Sequence, residues 1–154
     1  MFPDINVTDQ GHKFIGSYIG TKQGQDEYVS SLVDDWIKDV KALAEIGRSE
    51  PQLAYAAYIH GTSKRWNFIC RTTPNVSEQM KRLEYHIRET LIPVIIGKNH
   101  ITDQTREILS LPARLGGMGF LNPSSVATLE YECSIDATLQ LIENIFNQSS
   151  VIKL

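Results

Sequence analysis

Apolar residues recur at helical spacing over most of this chain, and only its start breaks the rule. The run HKFIGSYI, His12 to Ile19, is short, rich in aromatic and branched residues, and bounded by Gly11 and Gly20. It predicts a strand, or half of a hairpin with Ile5–Thr8 as its partner. Tyr28, Val29, Leu32, Val33, Trp36, Ile37, Val40, Leu43 and Ala44 then follow one helix, which Gly47 stops. Ser49 caps the next helix, with Pro51 in its first turn and Gln52 closing a capping box. Its apolar positions Leu53, Ala56, Ala57, Ile59, Trp66, Ile69 and Cys70 carry it to about Thr72, bent at Gly61.

Ser77 and Glu78 open a third helix through Met80, Leu83, Ile87, Leu91 and Ile95, kinked by Pro93. Thr102 and Asp103 open a short helix ending before Pro112, and Pro123, Ser124 and Ser125 begin a last one running to Phe146. The fold class is mainly α: about five helices in a small bundle behind a short β-strand or hairpin. Residues 1–22 form the strand or hairpin remnant, 23–148 the helical region and 149–154 a frayed tail of one domain.

Composition narrows the functional classes. A length of 154 residues supports a core without disulfides or metal, and a net charge of −3 argues against a dedicated, tight nucleic-acid binder. The charge is uneven: Asp26–Glu50 holds seven acids and three bases, whereas Pro51–Pro74 holds Lys64, Arg65 and Arg71 with no acid. Cys70 and Cys133 both lie in helical patterns, which reads as two small buried residues in a reducing compartment. The N-terminus lacks the charge and apolar core of a signal peptide, and no apolar run reaches membrane length, so the expected setting is intracellular, nucleus or cytoplasm.

Four patterns carry candidate chemistry. Gly116, Gly117 and Gly119 within LPARLGGMGFLNP are placed to cradle a phosphate ahead of a helix, or to turn the chain tightly between two helices. Their spacing fits neither the P-loop nor the dinucleotide fingerprint, which favours the turn. Asp34-Asp35 is the residue pair that holds two metals in polymerases. On a helix, however, neighbouring side chains diverge by about 100° and cannot share a metal pair. His12, His60, His86 and His100 lack metal-ligand spacing. The segment HGTSKRWNFICRTTP puts His60, Lys64 and Arg71 on one face of a continuous helix, interleaved with Trp66 and Phe68. Cations beside aromatic surface grip nucleic-acid backbones. Taken alone, a core of Trp66, Ile69 and Cys70 with a solvated basic face is the commoner arrangement.

Taken in order, four segments resemble the region downstream of the catalytic palm in reverse transcriptases of invertebrate retrotransposons. They are HKFIGSYIG, QLAYAAYIHGTSKRWNFICRTTP, LEYHIRETLIPVIIG and, most closely, LPARLGGMGFLNPS. The resemblance spans roughly 10–148. It implies a thumb-like helical region that holds a template–primer duplex, RNA–DNA or DNA, weakly and for an upstream polymerase domain. Lys64, Arg65, Arg71, Arg88 and Arg114 are then the expected backbone contacts, because arginine forks match phosphate geometry. Gly116, Gly117 and Gly119 become a structural turn. The chain departs from the family in lacking an aspartate pair in a strand–turn setting, so a non-catalytic C-terminal fragment is expected, without metal or cofactor. The alternative is a helical protein–protein interaction module without enzymatic activity, motivated by net acidity and by apolar surface that upstream domains cover.

Overall fold

The computed structural model describes residues 8–148. The run read as a strand is itself a hairpin: β1 (Gly11–Phe14) pairs antiparallel with β2 (Ser17–Gly20), His12 opposite Ile19 and Phe14 opposite Ser17. Ile15 and Gly16 form the turn at φ 47° and 83°. Positive φ at both central residues gives the two-residue turn whose twist suits a hairpin. Isoleucine in that position hides the usual Asn-Gly signal. Of the expected partner strand, residues 5–7 lie outside the described residues and Thr8 is not in a strand. The hairpin sits on the helices through the Tyr28 hydroxyl, which donates to the Gly16 carbonyl at 3.0 Å.

Helix α1 (Lys22–Gly47) starts at Thr21, whose hydroxyl accepts from the Gly24 amide. It buries Val29, Val33, Trp36, Ile37, Val40 and Ala44 along one stripe. Gly47 is its last residue rather than a left-handed stop. A Cβ there would lie 3.0 Å from Val94 and 3.3 Å from Ala54, so it marks a close crossing of elements. The expected cap at Ser49 is replaced: its hydroxyl donates back to the Ile46 carbonyl, and Glu50 precedes α2 (Pro51–His60) without a side-chain cap. Helix α2 buries Ala54 and Tyr58, not Leu53, Ala56 and Ala57. Nearly every position of that helix is apolar, so spacing alone does not choose its inner face.

Gly61 ends α2 instead of bending it. A 3₁₀ turn (Thr62–Lys64) leads to a separate α3 (Asn67–Thr72). Helix α4 (Ser77–His86) runs through a π turn (Ile87–Leu91) into α5 (Ile92–Ile96). The π turn is the form the Pro93 kink takes. Proline has no N–H and its ring crowds the carbonyl four residues earlier, and a wider turn relieves that clash. Helix α6 (Asp103–Ser110) begins at Thr102 as expected. Helix α7 (Pro123–Phe146) begins at Asn122, whose side chain accepts from the Ser124 and Ser125 amides.

Helix α1 packs along α2 and α4, while α7 crosses α3 and α4. The buried residues form one cluster. At its centre the Phe120 ring, wholly buried, lies 5.0 Å from Tyr58 and 5.6 Å from Tyr55. Trp66 bridges Tyr58 and Trp36 at about 6 Å. The architecture is the small, mainly α bundle behind a hairpin that the apolar pattern predicts. Among the described residues, no helix is long and apolar enough to cross a membrane.

Candidate nucleic-acid interface

The glycine segment is where the structure is most specific. A 3₁₀ turn (Ala113–Leu115) ends at Gly116 with φ 82°, and Gly119 takes φ 72°. Its amides are turned onto the chain itself. Gly116 donates to Ala113, Gly117 to Pro112, Gly119 to Leu111, and Met118 and Phe120 both to the Leu109 carbonyl. A phosphate cradle needs successive free N–H groups aimed at one point. Here each is engaged, so the segment is a turn. The Tyr55 hydroxyl donates to the Met118 carbonyl at 2.8 Å and holds the turn against α2.

Arg106, absent from the sequence candidates, anchors the same turn from α6. Its Nε and Nη2 donate to the two carboxylate oxygens of Glu84 at 2.6 and 2.7 Å, and its Nη1 donates to the Phe120 carbonyl at 2.5 Å. Burial raises the Glu84 carboxyl above its ordinary value, while the Arg106 bonds pull it back. The signal was present in the pattern. Glu84 falls on the stripe Met80–Glu84–Ile87–Leu91, whose three apolar members are fully buried. A charged residue at a core position implies a buried partner.

The five candidate cations fall into two groups. Arg65 is ion-paired with Asp39. Arg88 donates to the Ile101 carbonyl at 2.9 Å and pairs with Glu89 and Asp103, so it fastens the loop ahead of α6. Lys64, Arg71 and Arg114 are exposed and lie in no ion pair among the described residues. Because the helix breaks at Gly61, His60, Lys64 and Arg71 do not share the continuous helical face their spacing predicts. Lys64 edges a narrow cleft of about 40 Å³ with Ser63, Asn67, Gly119 and Glu130, far smaller than a typical ligand pocket.

A second basic patch escaped the sequence reading. An open cleft of about 370 Å³ is lined by Ile37, Lys81, Arg82, Tyr85 and His86. Burial, with Lys41 and Arg82 nearby, lowers the His86 pKa below its ordinary value. The patch is partly neutralised, since Lys81 pairs with Glu78 and Arg82 with Asp34. Asp35 pairs with Lys38, so the two neighbouring aspartates serve different cations. No group of three or more His, Cys, Asp or Glu is placed to hold a metal among the described residues.

Neither a protein-family model, nor a curated protein, nor a solved structure matches this chain.

The cysteines divide, contrary to the expectation that both are buried. Cys133 is exposed on α7, whereas Cys70 lies in the core and burial pushes its thiol up to about 11. Thiolate is the reactive form. An aromatic disulfide reagent at pH 8 is therefore expected to titrate one fast thiol per native chain and the second only after denaturation. Loss of the fast phase in Cys133→Ser assigns it; two equally fast thiols contradict the placement.

Proposed function

We propose that this chain is a non-catalytic, thumb-like helical part of a reverse-transcriptase-like retroelement protein, contributing template–primer contacts to an upstream polymerase domain. The observation that supports this reading is the state of the arginines. Arg48, Arg65, Arg82, Arg88 and Arg106 are all ion-paired, while Arg71, Arg114 and Lys64 are exposed and lie in no ion pair among the described residues. A cation without a protein partner is the one that gains most from a phosphate. Two-metal polymerisation requires carboxylates converging on both ions, and Asp34 and Asp35 are each paired with a different cation. The reading therefore assigns catalysis to the upstream domain.

The test is the salt dependence of binding to a fluorescent RNA–DNA duplex. Each phosphate contact contributes about 0.9 to the slope of log K against log salt. Replacing Lys64, Arg71 and Arg114 together with Ala is expected to reduce that slope by about 2 to 3. Affinity indifferent to salt, or to the triple replacement, overturns the contact assignment. The second reading, a helical interaction module without enzymatic activity, is favoured by one observation. The far half of α7 carries Leu139, Ile142, Ile145 and Phe146 in the open.

A further inference from the structure

Helix α7 has 24 residues, a rod of about 36 Å. Its first half belongs to the bundle: Pro123 and Ala127 are buried, and Glu130, Tyr131 and Ser134 are half-buried where it meets α3 and α4. At about 100° per residue, that same face continues down the helix through Leu141 and Ile145. Beside it, Ile135, Leu139, Ile142 and Phe146 follow spacings of four, three and four, the seam of a coiled coil. The bundle covers only the stripe from Pro123 to Ser134. Beyond Ser134 both that stripe and the seam are bare: Leu139 is 48% exposed, Ile145 76% and Phe146 83%.

Charge on the rod is one-sided. Asp136 and Glu143 flank the seam one heptad apart, and Glu132 continues that edge one turn earlier. Between Pro123 and Phe146 there is no Lys or Arg. An anionic membrane surface is disfavoured, because helices that lie on such surfaces carry basic polar faces. A second copy is disfavoured by charge. Parallel pairing of two α7 seams gives the acid row no cation to meet, because the partner α7 carries no Lys or Arg. Antiparallel pairing about a two-fold sets like edges together, acid row against acid row.

We propose that residues 135–146 of α7 are a docking surface for an amphipathic helix of another protein, one with a heptad apolar stripe and Lys or Arg along the edge that meets Glu132, Asp136 and Glu143. The proposal rests on the interaction-module reading. Apolar contact supplies the binding, and the acid row selects the partner and its register.

Two synthetic 28-residue helices with identical Leu/Ile stripes, one Lys-edged and one Glu-edged, provide the probes. Fluorescence anisotropy with the whole chain is expected to show the Lys-edged helix bound about tenfold more tightly, with the difference shrinking in high salt. Leu139→Glu with Ile142→Glu is expected to abolish binding while circular dichroism and thermal midpoint stay unchanged, because both residues are exposed. Asp136→Lys with Glu143→Lys is expected to reverse the preference. Equal binding of both helices overturns the partner chemistry but leaves the interaction module standing. No binding of either helix overturns both. A concentration-dependent dimer by light scattering, lost in the Leu139/Ile142 variant, makes the occupant a second copy and overturns the proposal.

Discussion

Arg106→Ala is expected to destabilise the fold by about 3–5 kcal/mol, the range for breaking one side of a buried ion pair. Arg106 is 5% exposed and joins three elements: α6 that carries it, α4 through Glu84, and the glycine turn through the Phe120 carbonyl. Removing it leaves a carboxylate and a carbonyl in a low-dielectric interior with nothing in their place. For a chain of this size the thermal midpoint should fall by roughly 10 °C. Arg106→Lys keeps the charge but not the two-pronged geometry, so an intermediate loss is expected.

Two further measurements separate this account from simple loss of packing. Replacing Glu84 and Arg106 together with Met should recover much of the deficit, because no charge is then stranded; the Phe120 carbonyl alone remains unpaired, at about 1 kcal/mol. The single Arg106→Ala variant should also lose stability as pH rises. With Arg106 gone, burial of Glu84 is opposed only by the charge of Arg88, its folded-state pKa moves further above the unfolded one, and the folded chain holds the proton that the unfolded chain releases. Its deficit should therefore be larger at pH 8 than at pH 5. A single variant as stable as the parent, or a double variant worse than the single, contradicts this role.

The second large effect is expected at Gly117. A Cβ there would lie 2.0 Å from the Leu111 carbonyl oxygen and 2.6 Å from that of Ile108, both backbone atoms. Neither can step aside as a flexible side chain can. Gly117→Ala must open the turn and loosen the Phe120 ring that the turn seats in the core, at about 3 kcal/mol or more. Gly116 is an internal control. It is left-handed at φ 82°, but a Cβ there meets nothing within 4 Å, so Gly116→Ala should cost only about 1–2 kcal/mol of backbone strain. Thermal melts of the two variants should differ clearly; equal losses would contradict the role of the Gly117 contact.

Much of the helical architecture was legible because amphipathic spacing reports which face is inward whenever the other face is polar. The α1 stripe from Val29 to Ala44 and the Thr102 start of α6 follow this rule. Helix α2 did not, because apolar residues surround it and only its neighbours choose Ala54 and Tyr58. The hairpin turn at Ile15-Gly16 was hidden by an unusual residue for positive φ. Of the candidate cations, sequence identified groups capable of meeting phosphate, but it does not reveal that Asp39 and the Ile101 loop had already engaged Arg65 and Arg88.

The sequence by itself determined most of the long helices, since caps, breakers and apolar period act within a few residues. It also determined that Leu111 to Pro123 is shaped rather than merely apolar. Only the tertiary structure decided what that shape does. It turned the amides onto the chain's own carbonyls, seated Phe120 against Tyr55 and Tyr58, and fixed the turn with an arginine from another helix. It also decided that half of α7 is core and half is bare, although the apolar pattern is continuous along it. The physical reason is one of range. Propensity and periodicity are local, whereas burial and charge pairing depend on what lies across the fold.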